Sequence, residues 1–385
     1  MNIETREGLF AVMEQVASER EAARPIVEKL VASGEPVDDI EIPEGWRTAG
    51  MVMELCDFAF SRLENDPLQS LAFAQLALAI AGNVGEELYP STLRAYLKGR
   101  AWKEMGFANR YLDGFDAAIR ACKEAERSFS SNPALVYEEA LARFTRAGAL
   151  FRAEKYEEAG ALTSTTIDIF REIGDLRRQI TCDVMDASIQ LARGHFNFAR
   201  AKLEATLQTL RVSDDLHTLG LVQNNLAHAY LGLGRLSDAV MSLERAKEIF
   251  SALDMPGEVN RADWGLALVL FENGEPTKAL PLLRRLRDDY ARRHMPGAAG
   301  EIGLFIVDVL IASGDVETAK ALTTQVLKEF IDANLSTYAI SALAYLRDLL
   351  ETTNDPEKAV RHVRSYVEKL KTEPARLFLP LDEKN

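Results

Sequence analysis

Alanine returns at Ala159, Ala199, Ala239, Ala279, Ala319 and Ala359, in steps of 40 residues, each three residues after the start of a similar amphipathic helix. A period of roughly 20 to 50 residues constrains the fold more than any single motif, because units of that length bury a core only by stacking on one another. The expected architecture is therefore a quasi-one-dimensional array of repeated units, and its function is expected to be binding along a surface built from several of them.

The unit is clearest between Leu219 and Leu253, which reads as two amphipathic helices joined by a short Gly-containing turn. Apolar positions run through Leu219, Val222, Leu226, Ala227 and Tyr230 in the first helix, and through Ala239, Leu243, Ala246 and Phe250 in the second, at helical spacing. Gly234 is placed to end the first helix in a left-handed conformation, and Asp238 lies in the first turn of the second, where its charge suits the helix dipole. The same punctuation recurs at Gly194, Gly274 and Gly314.

Leu226, Ala227, Tyr230, Gly234 and Ala239 resemble the helical-hairpin pattern of the tetratricopeptide family, with Leu236 in the place of its second aromatic. Tyr156 with Ala159, and Phe115 with Ala118, fill the later part of the pattern in other units. The resemblance covers roughly residues 94 to 370, and the 40-residue step is similar to the long-helix variant of bacterial MalT- and Rap-type regulators and kinesin light chains. It implies an all-α fold: a right-handed superhelical solenoid of antiparallel helix pairs, TPR-like, with an N-terminal helical cap. Glu154 and Asn354 replace the turn glycine, and Pro276 and Pro356 occupy the aromatic place, so those hairpins are expected to approach their neighbours at different angles.

Outside the register, residues 1–44 read as N-terminal helices followed by an acidic, turn-rich link from Gly34 to Glu44 that is expected to be mobile. Residues 45–93 read as a degenerate capping helix pair, with Asp66 as N-cap and Pro67 at the first helical position. Residues 94–370 form the solenoid of about seven helix pairs, and 371–385 a tail. Cys56, Cys122 and Cys182 are far apart and odd in number, which suits buried packing residues rather than a disulfide framework. No apolar run is long enough to span a membrane and no secretory signal is legible, so the expected setting is the cytoplasm. A net charge of -14 argues against a phosphate backbone as a direct partner.

Curvature would gather the exposed side chains of the first helices into a concave groove. Counting from the alanines places Arg110, Phe144, Phe151, Arg152, Met185, Asn224, Asn225, His228, Trp264, Phe271 and Asp308 on that wall. Its centre is apolar and aromatic, as a peptide or amphipathic helix would need. Its ends differ in sign: Arg100, Lys103, Arg110 and Arg152 lie toward one, and Glu272, Glu301, Asp308, Asp348 and Glu351 toward the other. Asn224 and Asn225 are the sharpest feature, because an amide can both donate to and accept from a peptide backbone; either can instead bond a neighbouring helix. Arg143 and Arg146 stand one repeat before Asp183 and Asp186, which predicts ion pairs between adjacent helices.

There is no Gly-rich phosphate loop, Cys/His metal spacing or nucleophile elbow, so neither catalysis nor a cofactor or metal is expected. The leading expectation is a non-enzymatic interaction module, an adaptor or regulator, whose partner is another protein or a peptide. Two alternatives are a peptide-controlled switch of the Rap type, and a structural or self-assembling chain whose groove is filled from within by the apolar tail Ala375 to Leu381. The oligomeric state is left open by the residues.

Overall fold

The computed structural model describes residues 6–33, 37, 40–63, 65–112, 114–210, 215–293, 295–332, 337–351, 353, 355–369 and 378–381, and among these every regular element is helical. The chain divides into two compact units, residues 1–186 and 187–385. The first holds α1 (Arg6–Ser33), α2 (Ala49–Arg62), α3 (Pro67–Ala81), α4 (Ser91–Tyr111), α5 (Phe115–Ser130), α6 (Val136–Arg152), α7 (Tyr156–Ile173) and the start of α8 (Leu176–Ala192). The second holds the rest of α8, then α9 (Phe196–Leu210), α10 (Leu216–Gly232), α11 (Leu236–Ala252), α12 (Pro256–Glu272), α13 (Pro276–Arg292), α14 (Pro296–Ala312), α15 (Val316–Asp332), α16 (Thr337–Leu350) and α17 (Pro356–Lys369). Within each unit most successive helices pack on one another in antiparallel pairs, as the repeat requires.

Four of the turns inside hairpins share one geometry. Gly194, Gly234, Gly274 and Gly314 adopt φ of 77°, 71°, 74° and 82°. The amide after each reaches back across the turn, as from Arg235 to the Tyr230 carbonyl at 2.9 Å, while Gly234 itself bonds Leu231 at 3.0 Å. This paired arrangement satisfies the last carbonyls of the first helix. Glu154 adopts the same left-handed conformation, with φ of 56°, and its neighbour Lys155 makes the same bond to Leu150 at 2.9 Å. Replacing the glycine by Glu154 therefore leaves the turn itself unchanged: the hydrogen-bond pair outweighs the steric cost of a Cβ, about 1–2 kcal/mol. Pro276 likewise follows a regular turn and simply occupies the first helical position, where its missing N–H has no partner to lose. Asn354 lies outside the described residues.

Within hairpins, a small residue on the first helix receives a large ring from the end of the second, 30 positions later. A Cβ on Gly99 would lie 2.5 Å from the Phe129 ring, one on Gly220 2.6 Å from Phe250, and one on Gly300 1.9 Å from Phe330. Ala140 and Phe170 repeat the pairing, both fully buried. Each ring fills the space that its small partner leaves, at roughly 3–5 kcal/mol for a buried phenylalanine truncated to alanine.

At the N-terminal end, the single helix α1 is bolted to α2 by polar contacts. The Glu19 carboxylate accepts from the Gly50 amide at 3.0 Å and the Tyr89 hydroxyl at 2.7 Å, and Arg20 bonds Glu54 at 2.7 Å and Asp57 at 2.5 Å. Burial, with Glu19 beside it, pushes the Tyr89 phenol up to about 12. Asp66 caps α3 through the Gln69 amide at 2.9 Å, with Pro67 first in the helix, as expected. The link expected to be mobile is partly packed: Val37 is buried and Ile40 and Ile42 lie on the first unit's core. Residues 34–36 and 38–39 lie outside the described residues.

In the second unit α17 packs on α16 and also returns to α14, so that α14 to α17 form a four-helix bundle. Val360, Val363 and Val367 of α17 join Leu304, Phe305 and Ile311 of α14 in one buried cluster.

Candidate functional site

In the first unit the first-helix face is built from α2, α4 and α6. Phe60 of α2 meets Phe107 of α4 edge-on at 6.0 Å, and the Arg110 guanidinium lies 5.3 Å from the Phe107 ring and 5.5 Å from Tyr111. Gly148 of α6 leaves the space Arg110 occupies, since a Cβ there would sit 2.6 Å from its Nη1. Arg152 stacks over Phe115 at 5.5 Å, and Phe151 packs on Tyr156 at 5.8 Å. Phe144 is half-buried beside Ala140 and Phe170, and Met185 is also half-buried. These stacked guanidinium and aromatic groups form a preorganised surface with charge and π-faces together.

The expected basic end is largely answered by acids of the same unit. Arg100 pairs with Asp57, and Lys103 lies 3.6 Å from the buried Glu104. Arg143 bonds Glu139 on its own helix at 2.6 Å, and Arg146 lies 2.9 Å from Glu126 of α5. Burial pushes the Glu104 carboxyl above its ordinary value, against the pull of Lys103 and Arg100, and its Oε2 makes no hydrogen bond. Because the folded state holds that proton more tightly than the unfolded chain, this contribution to stability is full at acid pH and falls as pH rises through the folded value. Glu104→Gln is accordingly expected to stabilise the protein near pH ~7 and to change little near pH ~4. Urea midpoints at the two pH values check this, and an equal shift at both would contradict it.

In the second unit the face is built from α10, α12 and α14. Asn224 is 8 % exposed and its Oδ1 has no hydrogen-bond partner. Asn225 donates through Nδ2 to the Ser188 hydroxyl at 2.8 Å, so one of the two amides does tie neighbouring helices. His228 is half-buried, and burial holds its imidazole below the usual histidine range, neutral near pH ~7.

Beyond α10 the face is less open than the periodicity predicts. Trp264 and Phe271 of α12 pack on Phe305 of α14 at ring separations of 5.1 and 5.3 Å, and Phe305 is itself buried under α17. Asp308, expected as part of an acidic wall, is buried and bonded at 2.5 Å by Arg364, whose guanidinium also lies 5.0 Å from the Phe305 ring. Burial raises the Asp308 carboxyl, with Arg364 opposing. For Asp308 the cause is the return of α17 onto α14. Glu351 and Asp348 are likewise engaged, by Lys320 at 3.4 Å and Arg347 at 2.7 Å. The described part of the tail, Phe378–Leu381, lies on α16 and α17; residues 375–377 lie outside the described residues.

Buried acids escaped the sequence reading, Glu104 in the first unit and Asp263 in the second. Asp263 of α12 has no exposed side-chain surface; it bonds Lys247 of α11 at 2.7 Å and Arg285 of α13. Burial, with Arg285 nearby, lowers the Lys247 ammonium. The signal available was an aspartate at an inward position of a first helix, next to Ala262, where apolar residues are the rule.

Among the described residues, no group of three His, Cys, Asp or Glu side chains could hold a metal ion, and no helix is long and apolar enough to cross a membrane. Cys56, Cys122 and Cys182 are buried, and burial pushes the Cys56 and Cys122 thiols up to about 12.

A sequence profile for the tetratricopeptide repeat matches residues 224–293. No curated protein matches the chain in sequence. Among solved structures, NprR in complex with its cognate peptide NprX is similar over 95% of this chain and 99% of that one, with 13% identity and a TM-score of 0.60. A Rap protein complexed with competence and sporulation factor covers 94% and 99%, with 16% identity and a TM-score of 0.58. Aspartyl phosphate phosphatase F from Bacillus subtilis covers 97% and 94%, with 14% identity and a TM-score of 0.52. At these identities the likeness is one of fold. Residues 224–293 are thus a tetratricopeptide-repeat segment, and the chain is a helical repeat protein of the tetratricopeptide-like kind.

Proposed function

We propose that this chain is a non-enzymatic interaction module, an adaptor or regulator, which binds a short peptide or helix of a partner on the α10–α12 face of its second unit. It acts in the cytoplasm without direct contact to nucleic acid or membrane. The observation that carries the reading is the Asn224 amide: buried, with an unpaired oxygen, beside an Asn225 held by Ser188 and a neutral His228. An unmade hydrogen bond at a buried acceptor costs about 1–3 kcal/mol, and a peptide N–H reaching Oδ1 after a small rotation of the amide would restore it. A similar solved structure, NprR, holds its cognate peptide NprX, which supports a peptide as the ligand class.

A peptide library screened by thermal shift, with affinities then measured by fluorescence anisotropy, tests this. Asn224→Ala is expected to weaken the best ligand about tenfold with folding unchanged. A ligand bound equally well by the folded variant would remove the face from consideration.

A second reading, a peptide-controlled switch of the Rap type, is favoured by the polar seat of α1. The bonds of Glu19 and Arg20 to α2 and Tyr89 can be exchanged for water at less cost than an apolar interface of equal size. It is distinguished by faster hydrogen exchange in α1 when ligand is bound.

A further inference from the structure

We infer that Tyr345, His362 and Tyr366 form a second peptide-recognition socket, separate from the α10–α12 face. The chain's own segment Phe378–Leu381 occupies it, and a partner segment of the same Phe-x-Pro-Leu chemistry can replace that occupant.

The socket reads both main chain and side chains. The Phe378 ring stands 4.9 Å from Tyr366, 5.0 Å from Tyr345 and 5.5 Å from His362, an aromatic cage contributed by α16 and α17. Such ring pairs add to the gain from burial alone. His362 Nε2 donates to the Leu379 carbonyl at 2.8 Å, and the Leu381 amide donates to the Tyr345 hydroxyl at 3.0 Å. Phe378 and Leu381 lie against the bundle core, whereas Leu379 is 74% exposed and Pro380 also faces outward.

Recognition therefore rests on residues one and four of the segment and on two backbone groups. Pro380 offers no N–H that would be left unpaired, and its fixed φ keeps the segment extended, which lowers the entropy lost on docking. Aromatic walls that take a proline-containing extended segment are a recurring way to bind peptides. Because the resident segment is tethered, it competes at high effective concentration, so a free peptide meets an occupied socket unless that segment is weakened.

The probe is a fluorescein-labelled peptide of residues 376–383, RLFLPLDE, titrated into the full chain. Phe378→Ala is expected to bind it at least about tenfold more tightly than wild type, and Tyr345→Phe added to that variant is expected to lose much of the gain. No binding to a folded Phe378→Ala chain, or equal binding to it and to wild type, overturns the proposal. Should Phe378→Ala unfold, the same peptide with a photoreactive benzoyl-phenylalanine in place of its Phe is added in excess to wild type. Labelling within α16 or α17 is then the expected result, and its absence overturns the socket. None of these outcomes depends on Asn224, so the two sites stand or fall separately.

Discussion

Removing Lys247 and Arg285 together is expected to destabilise the second unit by about 3–5 kcal/mol, more than removing Asp263 itself. The asymmetry follows from burial. Asp263 has no exposed side-chain surface, whereas Lys247 and Arg285 are 39% and 52% exposed. If the acid is lost as Asp263→Ala, both cations can turn into water, and the cost reduces to a small cavity and lost packing. If both cations are lost, the carboxylate stays inside with its charge uncompensated. Each single cation variant should cost less, because the other partner remains and each pair is discounted by solvent screening. Urea denaturation of the four variants, with hydrogen exchange read over α11 to α13, gives the ordering. A Lys247→Ala, Arg285→Ala chain more stable than Asp263→Ala would show that the carboxylate escapes to solvent and that the pairing is incidental.

Gly50→Ala is expected to have the largest effect in the first unit. The added methyl would lie 2.4 Å from the backbone nitrogen of Arg20 and from the Glu19 carbonyl carbon. Backbone cannot move aside as a side-chain tip can, so α1 must lift from α2, breaking the bonds from Glu19 to the Gly50 amide and the Tyr89 hydroxyl. Overpacking alone costs about 1–3 kcal/mol, and the lost bonds add to it. Limited proteolysis within α1 reports the result, together with a Tyr89 phenol that titrates closer to the ordinary tyrosine value once Glu19 and burial are withdrawn. An α1 that stays protected in Gly50→Ala would mean that the helices sit further apart than described.

The alanine period, the turn glycines and the Asp66–Pro67 start were legible because each is a local rule: a spacing, a backbone angle, a cap. What the periodicity could not show was the return of α17 onto α14. Asp308 occupies a proper wall position, and only a helix 56 residues away, carrying Arg364, decides that it is buried. The period gives Trp264 and Phe271 their positions along α12, but whether such rings are open or packed depends on Phe305, one repeat later. Glu154 broke a sequence rule without breaking the geometry, since the flanking hydrogen bonds hold a non-glycine residue in the same left-handed turn. Asp263 shows the opposite case, a charge whose partners lie on the helices before and after its own.

The match of Gly99 to Phe129, Gly220 to Phe250 and Gly300 to Phe330 makes the hairpin the heritable part of this molecule. A ring and the hollow that receives it are encoded 30 residues apart, so a crossover between them would join a hollow to the wrong filler, whereas a crossover at the turn between hairpins would keep both halves of every fit. A chain built this way can therefore lengthen, shorten and recombine by whole hairpins without breaking these fits.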